Sequence, residues 1–441
     1  MNNDARQTIF APATGRATGA VAIVRISGPA TDAVLADVAG SLPAPRHAAL
    51  CTLIDPDTNE SIDRALVLRF SGPASYTGED MAEFQIHGGR AVTAALIRVL
   101  TARPGCRPAE PGEFTKRAFL NGRLDLAEAE GVMDLVSSET DRQRRQALAQ
   151  MDGALSRQVE DWRAALIAIL ALAEAGIDFA GDEPDVDENV SEAARERIGP
   201  LADSFARHLA AARGGEILRD GVRIAILGAP NVGKSRLLNT LARRDVAIVS
   251  ERAGTTRDVV EVHLDLAGIP VILADTAGLC DAECEIEQEG VRRARLTADT
   301  ADLKLLVFDT TDAKATRAIL AEQIDDRALL IANKCDLAAP PEDADVALSA
   351  ATGEGIDALL AVLGARLDNL LGFEPALLTR VRHRAALTEA AEALERAKTA
   401  DISELMAEDI RLATAALGRL TGHIDVEQVL DAIFSEFCIG K

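Results

Sequence analysis

Between residues 222 and 242 the chain reads Val222-Arg-Ile-Ala-Ile-Leu-Gly-Ala-Pro-Asn-Val-Gly-Lys-Ser-Arg-Leu-Leu-Asn-Thr-Leu-Ala242. The residues up to Leu227 are mostly apolar and indicate a buried strand, whereas residues 236–242 have a helical pattern. The glycines between these elements let backbone N–H groups approach phosphate oxygens, and the N-terminus of the helix adds partial positive charge. The order of strand, glycine-containing loop and helix therefore predicts a site for the phosphates of a nucleotide.

The side chains of this loop have separate roles in the predicted site. We expect Lys234 to reach the β and γ phosphates, where its charge also assists catalysis, and Ser235 to ligate Mg²⁺. The nucleotide-binding residues predicted here are Asn231, Val232, Gly233, Lys234, Ser235 and Arg236.

Two later segments add groups around the γ-phosphate and Mg²⁺. Residues 270–274 form another apolar run, which ends in Asp275-Thr-Ala-Gly278. Asp275 can hold Mg²⁺ through a water molecule, and the Gly278 N–H can contact the γ-phosphate. Before this run lies Gly254-Thr-Thr-Arg-Asp258, in which Thr256 is placed to complete the Mg²⁺ shell. The residues added to the predicted nucleotide-binding site are Ser250, Thr255, Thr256, Asp275, Thr276, Ala277 and Gly278.

The identity of the nucleotide base is predicted from the polar segments that follow two later apolar runs. Residues 328–332 are apolar and run into Asn333-Lys-Cys-Asp336. The Asp336 carboxylate can accept two hydrogen bonds from the N–H edge of guanine, a pattern that adenine cannot supply. A further short run ends in Leu348-Ser-Ala-Ala351, which offers a backbone N–H to the guanine oxygen. We therefore predict a guanine nucleotide, contacted by Asn333, Lys334, Asp336, Ser349, Ala350 and Ala351.

The residue after Gly278 is Leu279, where a Ras-like enzyme has a glutamine that orients the attacking water. A leucine cannot do this, so another side chain must orient the water. The carboxylates that follow are Glu283, Glu285, Glu287 and Glu289. Their chemistry alone does not separate the four, and each could equally be a solvated charge of the loop.

The rest of the chain predicts three kinds of domain. Residues 1–120 mix short β-rich runs with one helix, an α+β pattern, whereas residues 121–215 and 374–441 have apolar residues at helical spacing. Strands alternate with helices in residues 216–373, as in a parallel βαβ sheet. We therefore expect an α+β domain and a helical domain that is split by an inserted α/β nucleotide-binding domain. The stretch from Gly214 to Gly221 is predicted to be a hinge.

Composition excludes some classes of protein. A formal charge of −23 over 441 residues does not favour a protein that coats nucleic acid through bulk electrostatics. The six cysteines are scattered, which favours a reducing compartment without structural disulfides. Since no apolar run has the length of a membrane span, we expect a cytoplasmic protein that contacts neither membrane nor DNA.

Several motifs together resemble the MnmE (TrmE) family of tRNA-modifying GTPases. They are Gly228-x-Pro-Asn-x-Gly-Lys-Ser, Gly254-Thr-Thr-Arg-Asp, Asp275-Thr-Ala-Gly-Leu, Phe437-Cys-Ile-Gly-Lys441 and Pro111-Gly-Glu-Phe-Thr-Lys-Arg-Ala-Phe-Leu-Asn-Gly-Arg-Leu-Asp-Leu126. The likeness covers essentially the whole chain. It implies a Ras-like GTPase domain, a homodimer whose α+β domains dimerise, and GTP hydrolysis activated by K⁺ when two GTPase domains meet.

The resemblance also assigns residues to K⁺ and to water. Asn231 would ligate K⁺ and so belong to the catalytic group, together with a loop that includes Ser250, Arg252 and Thr255. This loop departs from the family, which has Thr at the position of Ser250 and Ile at the position of Arg252. By spacing from Asp275, the water-orienting glutamate of the family corresponds to Glu287.

The family's N-terminal domain binds a one-carbon donor, a 5,10-methylene or 5-formyl derivative of tetrahydrofolate. The matching positions are Arg25, Glu83, Arg123 and, in the C-terminal tail, Lys441. By charge and hydrogen-bond pattern an arginine suits the glutamate tail and a glutamate suits the pterin edge. Without the resemblance these residues would be ordinary surface charges.

The resemblance further implies tRNA as substrate and a flavoprotein partner, MnmG (GidA), which brings FAD and NADH. The two proteins together would add an aminomethyl or carboxymethylaminomethyl group to carbon 5 of a wobble uridine. Cys438 is a candidate nucleophile or redox group, although a small apolar anchor of the tail is the simpler interpretation. His87 is either a base or a hydrogen-bonded histidine of a turn.

Two other functions compete with this interpretation. A ribosome-assembly GTPase of the Era or Der kind shares the phosphate-loop pattern, but it would carry an RNA-binding module after the GTPase or a second GTPase. Neither pattern is evident in residues 374–441. A nucleotide-switched scaffold would bind partners and need no fast hydrolysis, and single-turnover hydrolysis would distinguish it from a catalyst.

Overall fold

The computed structural model describes residues 7–15, 19–179, 184–244, 247–248, 261–275, 298–372, 376–422, 430, 433–435, 437 and 440. The contacts within the chain divide it into two compact units. The first consists of Met1–Met133, Met151–Glu160 and Ala415–Lys441, and the second of Asp134–Gln150 and Asp161–Thr414. Each unit contains a β-sheet of its own.

The sheet of the first unit has six strands in the order β3-β4-β5-β2-β1-β6. Neighbouring strands are antiparallel except for β1 and β6, which are parallel. The strands are β1 Thr8–Pro12, β2 Val21–Ser27, β3 Ala49–Ile54, β4 Ser61–Phe70, β5 Met81–His87 and β6 Cys106–Pro108.

Helices α1 (Thr31–Ala39) and α2 (Arg90–Ala102) belong to the same unit as this sheet. Alternate strand residues such as Val24 and Phe84 share one apolar core with helix residues of both helices. Because side chains alternate along a strand, the neighbours of these residues project from the opposite face of the sheet. Helices α3 (Glu113–Leu120) and α4 (Leu126–Ser137) follow, and the predicted α+β character of this part of the chain is confirmed.

The second unit contains a seven-stranded sheet in the order β13-β12-β11-β7-β10-β9-β8. Strands β13, β12, β11, β7 and β10 run parallel, whereas β9 is antiparallel to both β10 and β8. The parallel strands therefore end at one edge of the sheet. The strands are β7 Val222–Leu227, β8 Ala247–Ile248, β9 Glu261–Leu266, β10 Ile269–Asp275, β11 Leu303–Asp309, β12 Ala328–Asn333 and β13 Val346–Leu348.

Both faces of this parallel sheet are buried. In β7, Ile224 and Ile226 pack in one apolar cluster, while Ala225 and Leu227 pack in another. Burial on both faces explains why the strand is an uninterrupted apolar run rather than an alternating one. The helices that alternate with these strands along the chain include α8 (Lys234–Ala242), α9 (Ala313–Ala318) and α10 (Ile356–Leu371). The predicted α/β region is therefore confirmed.

The two helical blocks predicted from the sequence are also confirmed. They contain α5 (Asp141–Met151), α6 (Ala154–Phe179), α7 (Pro184–Asp220), α11 (Val381–Thr399) and α12 (Ser403–Thr421). Helix α7 packs against α11, although the two are far apart in sequence. Within the part of the chain that the structure describes, no helix combines the length and the apolar character that crossing a membrane requires.

The predicted hinge at Gly214 and Gly215 is wrong, because α7 continues through both residues to Asp220. A Cβ atom on Gly214 would lie 2.1 Å from the carbonyl oxygen of Leu371, and one on Gly215 would lie 2.3 Å from that of Leu378. The glycines thus allow the returning chain to lie directly against the helix. Their small size serves close packing, not a break in the helix.

Candidate functional site

The phosphate loop lies between the end of β7 and the start of α8, as predicted. Asn231 and Gly233 have left-handed backbone conformations, with φ of 62° and 100°. A Cβ on Gly233 would lie 2.3 Å from Nδ2 of Asn333, so a larger residue there would displace the Asn333 amide. The buried Lys234 ammonium donates hydrogen bonds of 2.9 and 3.0 Å to the carbonyl oxygens of Gly228 and Ala229. The loop therefore curls around a lysine charge at a helix N-terminus, which is the environment that phosphates require.

Asn333 joins the phosphate loop to the predicted base-binding segment. Its Nδ2 donates to the carbonyl oxygen of Val232 at 2.7 Å, and its Oδ1 accepts from the Ala350 N–H at 2.9 Å. The Oγ of the buried Ser349 accepts from the N–H of Ala351 at 3.3 Å. Three motifs that are far apart in sequence are thus brought together at the carboxyl edge of the sheet.

Asp309 also belongs to this edge, although it was missed in the sequence. It ends β11, in register with Asn333 of β12, and its carboxylate pairs with the ammonium of Lys334. Burial opposes ionisation of Asp309, but hydrogen bonds from Lys334 and Thr311 outweigh burial and lower its pKa. Lys334 itself has a left-handed φ of 67°. Asp309 could have been identified from the sequence, because it is an aspartate that directly follows an apolar run.

The exposed side of the base-binding segment carries Asp336. This residue follows β12 and is open to solvent, while the Cys335 N–H before it donates to the Leu348 carbonyl oxygen at 3.2 Å. That hydrogen bond ties the loop of Asp336 to the end of β13. The predicted guanine-binding carboxylate is therefore accessible and held next to the predicted contact segment 349–351.

Several predicted residues lie outside the described residues. They are Ser250, Arg252, Thr255, Thr256, Thr276, Ala277, Gly278, Glu287, Cys438 and Lys441. Asp275 is described as the last residue of β10, in parallel register with Ile226 of β7, so it reaches the same edge of the sheet as the phosphate loop.

The residues at this edge fit a magnesium ion bound together with nucleotide phosphates. Mg²⁺ prefers oxygen ligands and is usually held by one or two protein groups plus phosphate oxygens and water. Ser235 lies in the first turn of α8 and can supply one such oxygen, and Asp275 is the last residue of β10 at the same edge. No cluster of three or more metal-binding side chains occurs among the described residues, and a site of this kind does not need one.

A second candidate site is a cavity of about 340 Å³ in the first unit. Its lining residues are Arg25, Arg46, Phe70, Ser75, Tyr76, Met81, Glu83 and Val132. The volume is in the range of small-ligand sites, and the mixture of flat apolar walls with few charges is typical of them.

Arg25 and Glu83, predicted separately from the sequence, form one ion pair in this cavity. They face each other across β2 and β5, and the Arg25 Nε and Nη2 donate to Glu83 Oε1 at 3.0 and 2.9 Å. The guanidinium carbon lies 5.5 Å from the ring centre of Tyr76. Burial raises the pKa of Tyr76, whose hydroxyl is 2.8 Å from Thr115 Oγ1.

The other residues predicted to bind folate are not among the described residues that line the cavity. Arg123 is exposed beside Gly78 and does not line the cavity. Lys441 is not described, but the carbonyl oxygen of the adjacent Gly440 accepts from Arg25 Nη1 at 3.5 Å. His87 is exposed at the end of β5, with Nδ1 2.8 Å from Asp63 Oδ1, as expected for a hydrogen-bonded histidine.

Two family models match this chain. The model described as the GTP-binding protein TrmE N-terminus matches residues 8–123. The model described as the MnmE helical domain matches residues 126–438.

Full-length relatives agree with these matches. The chain is 52% identical to the tRNA modification GTPase MnmE of Methylobacterium radiotolerans, over 98% of this chain and 99% of that protein. It is 50% identical to the protein of the same name from Parvibaculum lavamentivorans, over 99% of this chain and 100% of that protein. A solved structure of an Aquifex aeolicus Era variant bound to GDP.AlF4- aligns with 39% of this chain and 66% of its own, at 26% identity and a TM-score of 0.28. With half of its residues identical over its full length to relatives of that name, the chain belongs to the MnmE (TrmE) family of tRNA modification GTPases.

Proposed function

We propose that this chain hydrolyses GTP and, with a flavoprotein partner, takes part in adding an aminomethyl or carboxymethylaminomethyl group to carbon 5 of the wobble uridine of certain tRNAs. The observation that carries the proposal is the junction at Asn333, where the phosphate loop and the base-binding segment meet through two hydrogen bonds. Full-length similarity to relatives named tRNA modification GTPase supports the tRNA part.

In the nucleotide site the residues of this chain bind and orient the substrate. Lys234 stabilises phosphate charge, Asp336 selects guanine, and Glu287 orients the attacking water. Ser235 and Thr256 would hold Mg²⁺, which would supply positive charge to the phosphates of the nucleotide. These roles make hydrolysis mainly a matter of positioning and electrostatics.

K⁺ would bind beside the phosphate loop. Asn231 has an exposed side chain at a left-handed turn of this loop, where its amide oxygen is available to a cation. Asparagine adopts this conformation more readily than most residues, which favours its use at this turn. Ser250, Arg252 and Thr255 complete the proposed K⁺ loop.

The cavity of the first unit is proposed to bind the tetrahydrofolate derivative, in the 5,10-methylene or 5-formyl form. Phe70, Tyr76 and Met81 offer walls for flat rings, and Glu83 offers an acceptor to the amino and N–H groups of a pterin edge. The bound folate supplies the one-carbon unit. FAD and NADH enter only with the partner protein.

A homodimer is proposed through the first unit. Leu50 and Leu66 lie directly opposite each other on β3 and β4, at the edge of the sheet, and are 63% and 43% exposed. A second copy that covered this pair would remove apolar surface from water. With a net charge of −23, this chain is a poor sole binder of tRNA, which favours shared binding with the partner.

Reconstitution of uridine modification from purified components tests whether this chain and the flavoprotein are both needed. The mixture contains tRNA, GTP, K⁺, Mg²⁺, a reduced folate, glycine or ammonium, FAD and NADH, with and without the flavoprotein. We expect modified uridine in mass spectra only when both proteins and GTP are present, because the sequence has no strand followed by the Gly-x-Gly-x-x-Gly turn that would bind FAD or NADH. The matched control replaces GTP with ATP. Modified uridine from this chain alone would overturn the proposal, as would its absence from the complete mixture.

Replacing Arg25 with alanine should weaken binding of 5-formyltetrahydrofolate about tenfold or more, because it leaves the largely buried Glu83 without its cation. Calorimetry measures the affinity, and GTP hydrolysis should continue because the nucleotide site lies in the other unit. The control is Arg98→Ala, which removes an exposed arginine from α2 on the opposite face of the sheet. Unchanged folate affinity in both Arg25→Ala and Glu83→Ala would remove this site from the proposal.

A further inference from the structure

Two arginines, Arg25 and Arg46, line the cavity. The positive charge of Arg46 is not paired with a carboxylate among the described residues. The charge of Arg25 is balanced by Glu83, at 2.9 Å. Arg46, by contrast, donates from Nη2 to the carbonyl oxygen of Ala74, which is neutral, and lies 5.8 Å from the ring centre of Phe70. The charged groups that line the cavity therefore sum to one positive charge, and Arg46 carries it.

The backbone holds Arg46 in an uncommon conformation. Its φ is 62°, in the left-handed region that residues other than glycine and asparagine seldom adopt. The Arg46 N–H donates to the carbonyl oxygen of Arg69 at 2.8 Å, which fixes this turn against β4 next to Phe70. An uncommon backbone conformation that presents a guanidinium to a cavity is a feature from which function can be inferred.

The remaining walls of the cavity suggest which part of a ligand meets Arg46. Phe70, Tyr76, Met81 and Val132 provide apolar contact, and the Arg25–Glu83 pair provides one donor group and one acceptor group. Such walls suit the neutral pterin and aminobenzoyl rings of a reduced folate. Its glutamate part is the only strongly anionic portion, and a carboxylate there can pair with a cation while it stays hydrated, which suits the exposed Arg46.

We propose that Arg46 binds a carboxylate of the folate glutamate tail and thereby makes the site selective for glutamylated folates. The inference rests on the proposed folate-binding function of the cavity. It also changes the expectation from the sequence, in which an arginine such as Arg25 was assigned to the tail. Arg25 instead fixes Glu83 for the ring system. A planar guanidinium can donate two parallel hydrogen bonds to a carboxylate, so arginine suits this role better than lysine.

The test compares two ligands by calorimetry. One is 5-formyltetrahydrofolate, and the other is 5-formyltetrahydropteroate, which has the same rings but no glutamate. In Arg46→Asn, we expect affinity for the first ligand to fall about tenfold and affinity for the second to remain unchanged, because asparagine keeps the left-handed turn and removes the guanidinium that would bind the glutamate. Arg46→Lys should recover part of the loss. In the unaltered protein, the advantage of the glutamylated ligand should shrink as NaCl rises from about 0.05 to about 0.5 M.

Matched controls separate a local contact from a disturbed fold. Arg98→Asn removes an equal charge from the other face of the sheet and should leave both affinities unchanged. Equal weakening of both ligands by Arg46→Asn would show a structural role and overturn the inference, as would equal affinity of the two ligands for the unaltered protein. If neither ligand binds the unaltered protein, the folate function of the cavity fails as well, an outcome that is distinct from the other two.

Discussion

Replacing Asp336 with asparagine should weaken GTP binding by about 5- to 150-fold, because an amide cannot accept both hydrogen bonds from the guanine edge and one buried donor loses its partner. The carboxylate is exposed in the loop after β12 and makes no hydrogen bond or ion pair with other described residues, so the substitution breaks neither. Titration of a fluorescent GTP analogue measures the dissociation constant.

A change of base specificity tests the same assignment more directly than a loss of affinity does. Xanthine carries a carbonyl group where guanine carries its amino group, and the new amide can donate to it. Asp336→Asn should therefore bind xanthosine triphosphate better than the unaltered protein does. The matched control is Asp326→Asn, an exposed aspartate just before β12, at the amino end of the strand and away from the site. Unchanged GTP affinity in Asp336→Asn would refute the assignment of this residue to the base.

Replacing Glu287 with alanine should lower the turnover number for GTP by about 100-fold while the affinity for the nucleotide stays nearly constant. This pattern is expected when a side chain acts mainly in the transition state, here by orienting the water that Leu279 cannot orient. Single-turnover hydrolysis under saturating GTP measures the rate, and it should be faster in K⁺ than in Na⁺ at equal concentration.

Neighbouring glutamates serve as controls for this prediction. Glu283→Ala and Glu285→Ala remove the same charge within the same acidic run, and both should hydrolyse GTP at close to the normal rate. If one of them proves limiting instead, the assignment of Glu287 is wrong. A loss of GTP binding in Glu287→Ala would point to a structural role, and equal rates in the two salts would contradict K⁺ activation.

The parts of the nucleotide site that could be predicted from the sequence are those encoded in short segments. The strand β7, the glycine-containing loop and α8 follow one another directly, so their order alone indicates where phosphates bind. The same holds for polar residues placed immediately after apolar strands, such as Asn333, since parallel strands end at a common edge.

The features that escaped prediction depend on residues distant in sequence. Asp309 acquires its role only because β11 lies beside β12 and brings its carboxylate to Lys334. Arg46 lies in a loop without any motif, and only the fold places it in the cavity with Arg25. Two adjacent glycines normally indicate a flexible connection, but at Gly214 the missing side chain makes room for another segment, which a local pattern cannot reveal.

The contact of Gly214 and Gly215 with Leu371 and Leu378 has a consequence for how this chain can be rearranged. The polypeptide enters the nucleotide-binding segment just after these glycines and returns to the same point, so the two ends of the segment are neighbours. A segment with adjacent ends can be excised at the C-terminal end of α7 and its stumps joined by a short peptide, or it can be exchanged for another module with equally close ends. Chimeras that carry a different module at this point are thus within reach of protein engineering.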